Sequence, residues 1–180
     1  MYPFIRLLAS GLKARSLPEL QLGETHISHH ICWPWDLDLW MELNNGRTLT
    51  LYDLGRIPLA QRSGLLKLLA RKRWGLTMAG AVVRYRRRVR AFDKIEMRSR
   101  LLGWDGKFMY LEQSMWKSNG DCASHAVYRG AVTDRNGIVA TDIVLKAMDL
   151  EPADAPDLPD WVKAWLAAED QRPWPPMQDS

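Results

Sequence analysis

The stretch WDLDLWMELNNGRTL, residues 35–49, decides how this chain is read. Asp36 and Asp38 lie two residues apart, Glu42 follows, and Asn44 and Asn45 stand at the head of an apolar pattern. Asparagine is a favoured helix N-cap, because its side chain accepts a hydrogen bond from an N–H that the first turn leaves unpaired. Leu49, Leu51 and Leu54 then predict a helix starting at Asn44 or Asn45. Gly55 and Pro58 punctuate it, and residues 59–73 read as a second helical stretch, basic at its end. Two carboxylates, a third acid and two amides at the mouth of a helix demand a reason.

Working outward, ETHISHHIC (24–32) reads as a strand with Ile27 and Ile31 on one face, ended by Pro34. From residue 76 the pattern changes to β-branched and alternating residues. Strands are predicted over 76–90, 94–104, 107–117 and 122–135. Asp105-Gly106, Asn119-Gly120 and Asn136-Gly137 supply tight turns, so the second half reads as an antiparallel meander. Ordinary strands run to about 10 residues, and longer ones must twist and curl. An early apolar helix gives them something to curl around. The expected fold is α+β: a long curved antiparallel sheet wrapped around a central helix, the hotdog arrangement, over residues 1–150. Residues 151–180 are a proline-rich linker, then a short helix over 159–171 with Trp161, Trp165 and Leu166 on one stripe, then an extended end. This tail is expected to serve as a lid or dimer-packing element.

Composition sets the bounds. The chain has 180 residues, 47% hydrophobic and 26% charged, with net charge +4. That suits one soluble globular domain with a preference for anionic partners. Cys32 and Cys122 have no metal-binding spacing and suit reduced thiols in the cytoplasm. No apolar run reaches the roughly 20 residues that span a bilayer. Residues 1–20 form a short amphipathic extension, with Met1, Ile5, Leu8 and Leu12 at helical spacing and basic residues between them. Packing on its own domain or a partner subunit is expected in preference to a membrane surface. In HISHH (26–30), His26 and His30 share a face without a visible third ligand, so no metal is expected.

The order of these elements, with the motif Asp36-Leu37-Asp38, Glu42 and Asn44-Asn45, resembles the hotdog acyl-CoA thioesterases of the 4-hydroxybenzoyl-CoA thioesterase type. Their motif runs D-x-D-x-x-x-H-x-N-N before the central helix. The stretch RYRRRVRAFDKIEMRSRLLGWDGKFMYLEQSMW is especially similar to the thioesterase-superfamily member 6 subgroup, and the resemblance spans about residues 24–147. Two positions depart from the pattern: Glu42 stands where the family has His, and Thr48 where it has an aromatic.

The resemblance implies thioester hydrolysis of an acyl-CoA or acyl-carrier substrate, with coenzyme A entering only as part of the substrate. It assigns Asp38 the role of nucleophile or general base. The helix start over Asn44, Asn45, Gly46 and Arg47 would offer oxyanion donors, with Asn44 orienting the water or the thioester. Asp36 would brace the loop. Asp, Asn and Asn before a helix are also ordinary capping chemistry, and the short motif alone leaves both readings open. Glu42 is either a surrogate polar group or a mark of a weak site. Asp53 either lines the pocket or pairs with Arg56 or Arg47. Strand alternation would put Arg84, Arg86, Arg88 and Arg90 on one face, for coenzyme A phosphates or simply for solvation. Nucleic acid is the weaker reading, since no recognition motif accompanies the cluster.

Three functions are weighed: an acyl-CoA thioesterase, a catalytically degenerate module that binds acyl-CoA or acyl carrier, and a hydratase or dehydratase. The last pairs a histidine with an acid, and position 42 lacks the histidine. The family builds its sites between subunits, so a homodimer or homotetramer is expected.

Overall fold

The computed structural model describes residues 2–21, 23–151 and 156–176. The helix predicted after the Asn pair forms as α2 (Asn45–Arg62) and runs unbroken through Gly55 and Pro58. It ends instead before Gly64, whose positive φ turns the chain into α3 (Leu65–Lys72). Ahead of it come α1 (Phe4–Arg15), β1 (His26–Ile31) and a 3-10 turn, Pro34–Asp36. Behind it run β2 (Gly75–Tyr85), β3 (Lys94–Trp104), β4 (Met109–Lys117), β5 (Cys122–Asp134) and the short β6 (Gly137–Ile138). The chain closes with α4 (Thr141–Ala147) and α5 (Asp160–Asp170).

The sheet order is β1-β3-β4-β5-β2, all antiparallel, with β6 paired to β5. Only β3-β4-β5 is a meander. β2 pairs with β5, so residues 86–93 must cross the sheet end to reach β3. The predicted strand over 76–90 stops at Tyr85 for a visible reason. The backbone N–H groups of Arg86 and Arg87 both donate to the Ala123 carbonyl, at 2.8 and 3.1 Å, which ends the ladder. Two predicted turns contain a positive-φ glycine, Gly120 and Gly137. At Asp105-Gly106 the aspartate does the work, its Oδ1 accepting from the backbone N–H of Lys107 and Phe108.

One face of the sheet wraps α2. Leu51, Tyr52, Leu54 and Leu59 pack on Ile95, Met97, Leu111, Met115, Ala126 and Tyr128, all buried. Each fully buried side chain of this size contributes about 1.5–3 kcal/mol. Gly55 lets the helix come close. A Cβ there would sit 2.5 Å from Ser99 Oγ and 2.7 Å from Met97 Sδ. The far end of the core is closed by α3 and α4 against Trp104, Met109 and Val132.

Both terminal helices pack on the body of the domain. α1 turns Leu7 and Ala14 inward, so Ile5, Leu8 and Leu12, joined by Phe4, face solvent; Met1 lies outside the described residues. Its polar side chains set that orientation, because Arg6 reaches Asp36 and the Tyr2 hydroxyl just before the helix donates to Asp53. α5 (Asp160–Asp170) lies away from α2. It covers the opposite face of the sheet, with Val162, Trp165 and Leu166 on Leu102, Tyr110 and Val127. Much of the predicted linker, residues 152–155, and the last part of the extended end, 177–180, lie outside the described residues. No helix among the described residues is long and apolar enough to cross a membrane.

Candidate active site

The acids of the opening motif go to different places. Asp36 is buried and accepts from Arg6 Nη1 at 2.7 Å, Arg47 Nε at 2.6 Å and Trp33 N at 3.0 Å. Burial alone would push its carboxyl up. The Trp33 N–H and the two guanidinium groups outweigh that and hold it below the usual carboxylate range. Asp36 therefore ties α1, the entry loop and α2 together.

Asp38 closes a tight turn. Its Oδ1 accepts from Trp40 N at 2.9 Å and Glu42 N at 3.4 Å, and its own N–H donates to the Glu42 carbonyl at 2.8 Å. The turn forces a positive φ on Met41 and leaves Leu39, Trp40 and Met41 in solvent. Asp38 is not among the residues that line the cavity at the start of α2. Asn44 is the N-cap, its Oδ1 accepting from Arg47 N at 3.0 Å. Asp53 pairs with Arg56 and accepts from the Tyr2 hydroxyl at 2.8 Å, the ion-pair alternative.

Glu42, Asn45 and Thr48 come together on a cavity of about 190 Å³ at the start of α2. Its other walls are Tyr85 at the end of β2, the segment 86–89, and Ala123 and Ser124 on β5. The Tyr85 hydroxyl donates to the Asn45 carbonyl at 3.3 Å, and Ser124 Oγ bonds the Tyr52 hydroxyl at 2.9 Å. The backbone N–H groups of Asn45 and Gly46 have no hydrogen-bond partner among the described residues. A first-turn pair of free donors, at the positive end of an 18-residue helix, is suited to a developing negative charge. Tyr85, Thr48 and Ser124 were not read as site residues. Ser124 carries no local signal, because only the pairing of distant strands brings it there.

The arginine run does not form the expected single face, since only Arg84 lies on a strand. Arg86, Arg87 and Arg88 rim the cavity, and Arg90 lies beyond it. Arg88 Nε approaches Glu42 Oε2 at 2.9 Å, and Arg87 approaches Asp121 at 3.6 Å. The side chains of Arg84, Arg86 and Arg90 form no ion pair among the described residues.

In HISHH, His30 bonds Ser28 and His26 bonds Arg62, each through a ring nitrogen, while His29 faces Glu96. Neither cysteine is an activated nucleophile. Burial pushes the Cys32 thiol up to about 11 and raises Cys122 as well.

Comparison with known proteins agrees with this architecture. The family model of the thioesterase-like superfamily matches residues 32–166. Protein THEM6 of Xenopus laevis is 32% identical over 170 residues, covering 93% of this chain and 80% of that protein. Among solved structures, the DHNA-CoA thioesterase of Staphylococcus aureus superposes with a TM-score of 0.60 at 11% identity, covering 81% of this chain and 91% of that one. A second S. aureus protein, solved in complex with CoA, gives 0.59 at 10% identity and covers 80% of this chain and 95% of that one. At such identities the structures speak for the fold alone. The sequence match over three quarters of its length, on a curled sheet around one central helix, places this chain in the thioesterase-like superfamily, with the hotdog fold.

Proposed function

We propose that this protein hydrolyses an acyl-CoA thioester to a free acid and coenzyme A in the cavity at the start of α2. The observation that carries the reading is that Asn45, whose backbone N–H is unpartnered among the described residues, lines a cavity that an acid also lines, with the unpartnered Gly46 N–H next along the turn. A thioester carbonyl placed there would meet donors where its oxygen becomes negative and a carboxylate beside its carbon. Asn45 would orient the thioester. The arginines at the rim, with Arg84 and Arg90 nearby, would hold the phosphates of coenzyme A, as guanidinium groups do well. The solved S. aureus relative in complex with CoA supports that ligand class.

The catalytic unit is a homodimer. β2 is an edge strand of 11 residues, mostly exposed, and its end forms one wall of the cavity. A long uncovered edge invites another strand, and a second copy of β2 would extend the sheet. The unpaired thiols of Cys32 and Cys122 agree with a reducing cytoplasm.

A second reading, binding without hydrolysis, draws on the Asp38 carboxylate being engaged in its turn. Thiol release from a panel of short, long and aromatic acyl-CoAs separates the two. Turnover of at least one member, saturable in substrate, is expected. Saturable binding of the same compounds with no thiol released would favour the binding module.

A further inference from the structure

We propose that Glu42, rather than Asp38, is the carboxylate that activates the attacking water, an assignment that rests on the hydrolytic reading above. Geometry separates the two acids. Asp38 gives its Oδ1 to two backbone N–H groups and does not line the cavity at the start of α2. Glu42 lines the cavity alongside Asn45, whose N–H is unpaired. Asp38 bonds the Glu42 backbone in both directions, through Oδ1 and through its own N–H. It therefore sets where Glu42 stands.

Arg88 is the second positioning residue. Its Nε lies 2.9 Å from Glu42 Oε2, yet the approach is too oblique for a hydrogen bond, and the buried Oε2 has no other partner. The guanidinium thus holds the carboxylate in place without capping its lone pairs. A cavity of about 190 Å³ leaves room for a water, about 30 Å³, next to a thioester group. Glutamate at the family's histidine position then takes the base role that the resemblance assigns to Asp38.

The step is balanced within the site. Glu42 takes a proton from water as the water oxygen bonds the carbonyl carbon. The carbonyl electrons move onto oxygen, facing the Asn45 N–H at the start of α2. When the oxyanion collapses, the C–S bond breaks, and the departing thiolate takes the proton from the Glu42 carboxylic acid.

The test compares purified full-length wild type with Glu42→Gln, Glu42→His and Asp38→Asn. Three readouts apply: thiol release against pH, binding of a non-hydrolysable thioether analogue of a turned-over acyl-CoA, and thermal unfolding. General base catalysis is worth about 10²–10⁴-fold. Glu42→Gln should therefore lose at least 100-fold in kcat with analogue affinity kept within about threefold. Glu42→His should retain measurable turnover, with the acid limb of kcat/KM moved up toward the imidazole range near 6.5. Asp38→Asn keeps an accepting Oδ1. It should cost less than about tenfold and leave the acid limb where it is, which a role as base would not allow. Folded Glu42→Gln with near wild-type turnover, or Asp38→Asn without turnover beside an active Glu42→Gln, would overturn the assignment and leave the thioesterase standing. Wild type that binds the thioether yet releases no thiol from any acyl-CoA would instead remove the hydrolytic reading, and the assignment with it.

Discussion

Asp36 shows what a residue's neighbours do to its meaning. In sequence it is one of a pair, interchangeable with Asp38. In the fold it is a buried anion between Arg6 and Arg47, 30 and 11 positions away. Removing one member of such a set strands buried charge and costs about 3–5 kcal/mol. Asp36→Ala is expected to lower the unfolding free energy by that amount, read as a lower urea midpoint at constant m-value; an effect below about 1 kcal/mol would deny the bracing role. The DxD spacing and the Asn pair were readable because they are local. Which acid faces a cavity was not, since Arg88, Tyr85 and Ser124 arrive from other strands and loops. The histidines carry a second prediction at this scale. Burial pushes His26 and His30 down to about 4, with nearby positive charge acting the same way. Their folded pKa lies below the unfolded value of about 6.5, so the unfolded chain binds more protons between those limits. Stability should be full above 6.5 and fall as the pH drops toward 4, by up to about 1.4 kcal/mol per pH unit for each histidine. Unfolding midpoints across pH 4–8 check this, and His26→Gln should flatten the slope.

The elements were foreseen where pattern and punctuation agree, and missed where tertiary contacts decide. β3, β4 and β5 fall close to their predicted ranges because alternation and turn residues coincide. The arginine run looked like strand to the end, yet Ala123 takes the two N–H groups that would have continued it. Gly55 was taken as a helix breaker. It is a contact point, where α2 lies so close to β3 that no Cβ fits beside Ser99 and Met97. Gly55→Ala should lose about 1–3 kcal/mol despite the better helix propensity of alanine. A gain in thermal stability would mean that β3 yields more readily than its packing implies. α4 has too few residues to announce itself, and α1 turned its apolar stripe outward because Arg6 and Tyr2 bind inward.

At the level of the whole molecule, the two faces of the sheet are accounted for differently. α2 fills one and α5 covers part of the other, leaving the β2 edge as the long unpaired element beside the cavity. Light scattering is expected to return a mass of twice 20.7 kDa or more in solution. A monomer at micromolar concentration would contradict the pairing of β2 edges. The whole account converges on water, activated by a carboxylate at the mouth of α2, attacking a thioester. One measurement addresses that most directly: a single turnover of an acyl-CoA in water enriched in oxygen-18, with the product acid and the peptide spanning residues 36–47 weighed by mass spectrometry. The account predicts one heavy oxygen in the acid and none in the peptide. An unlabelled acid with the heavy oxygen in the peptide would show a carboxylate attacking the thioester itself and contradict the account.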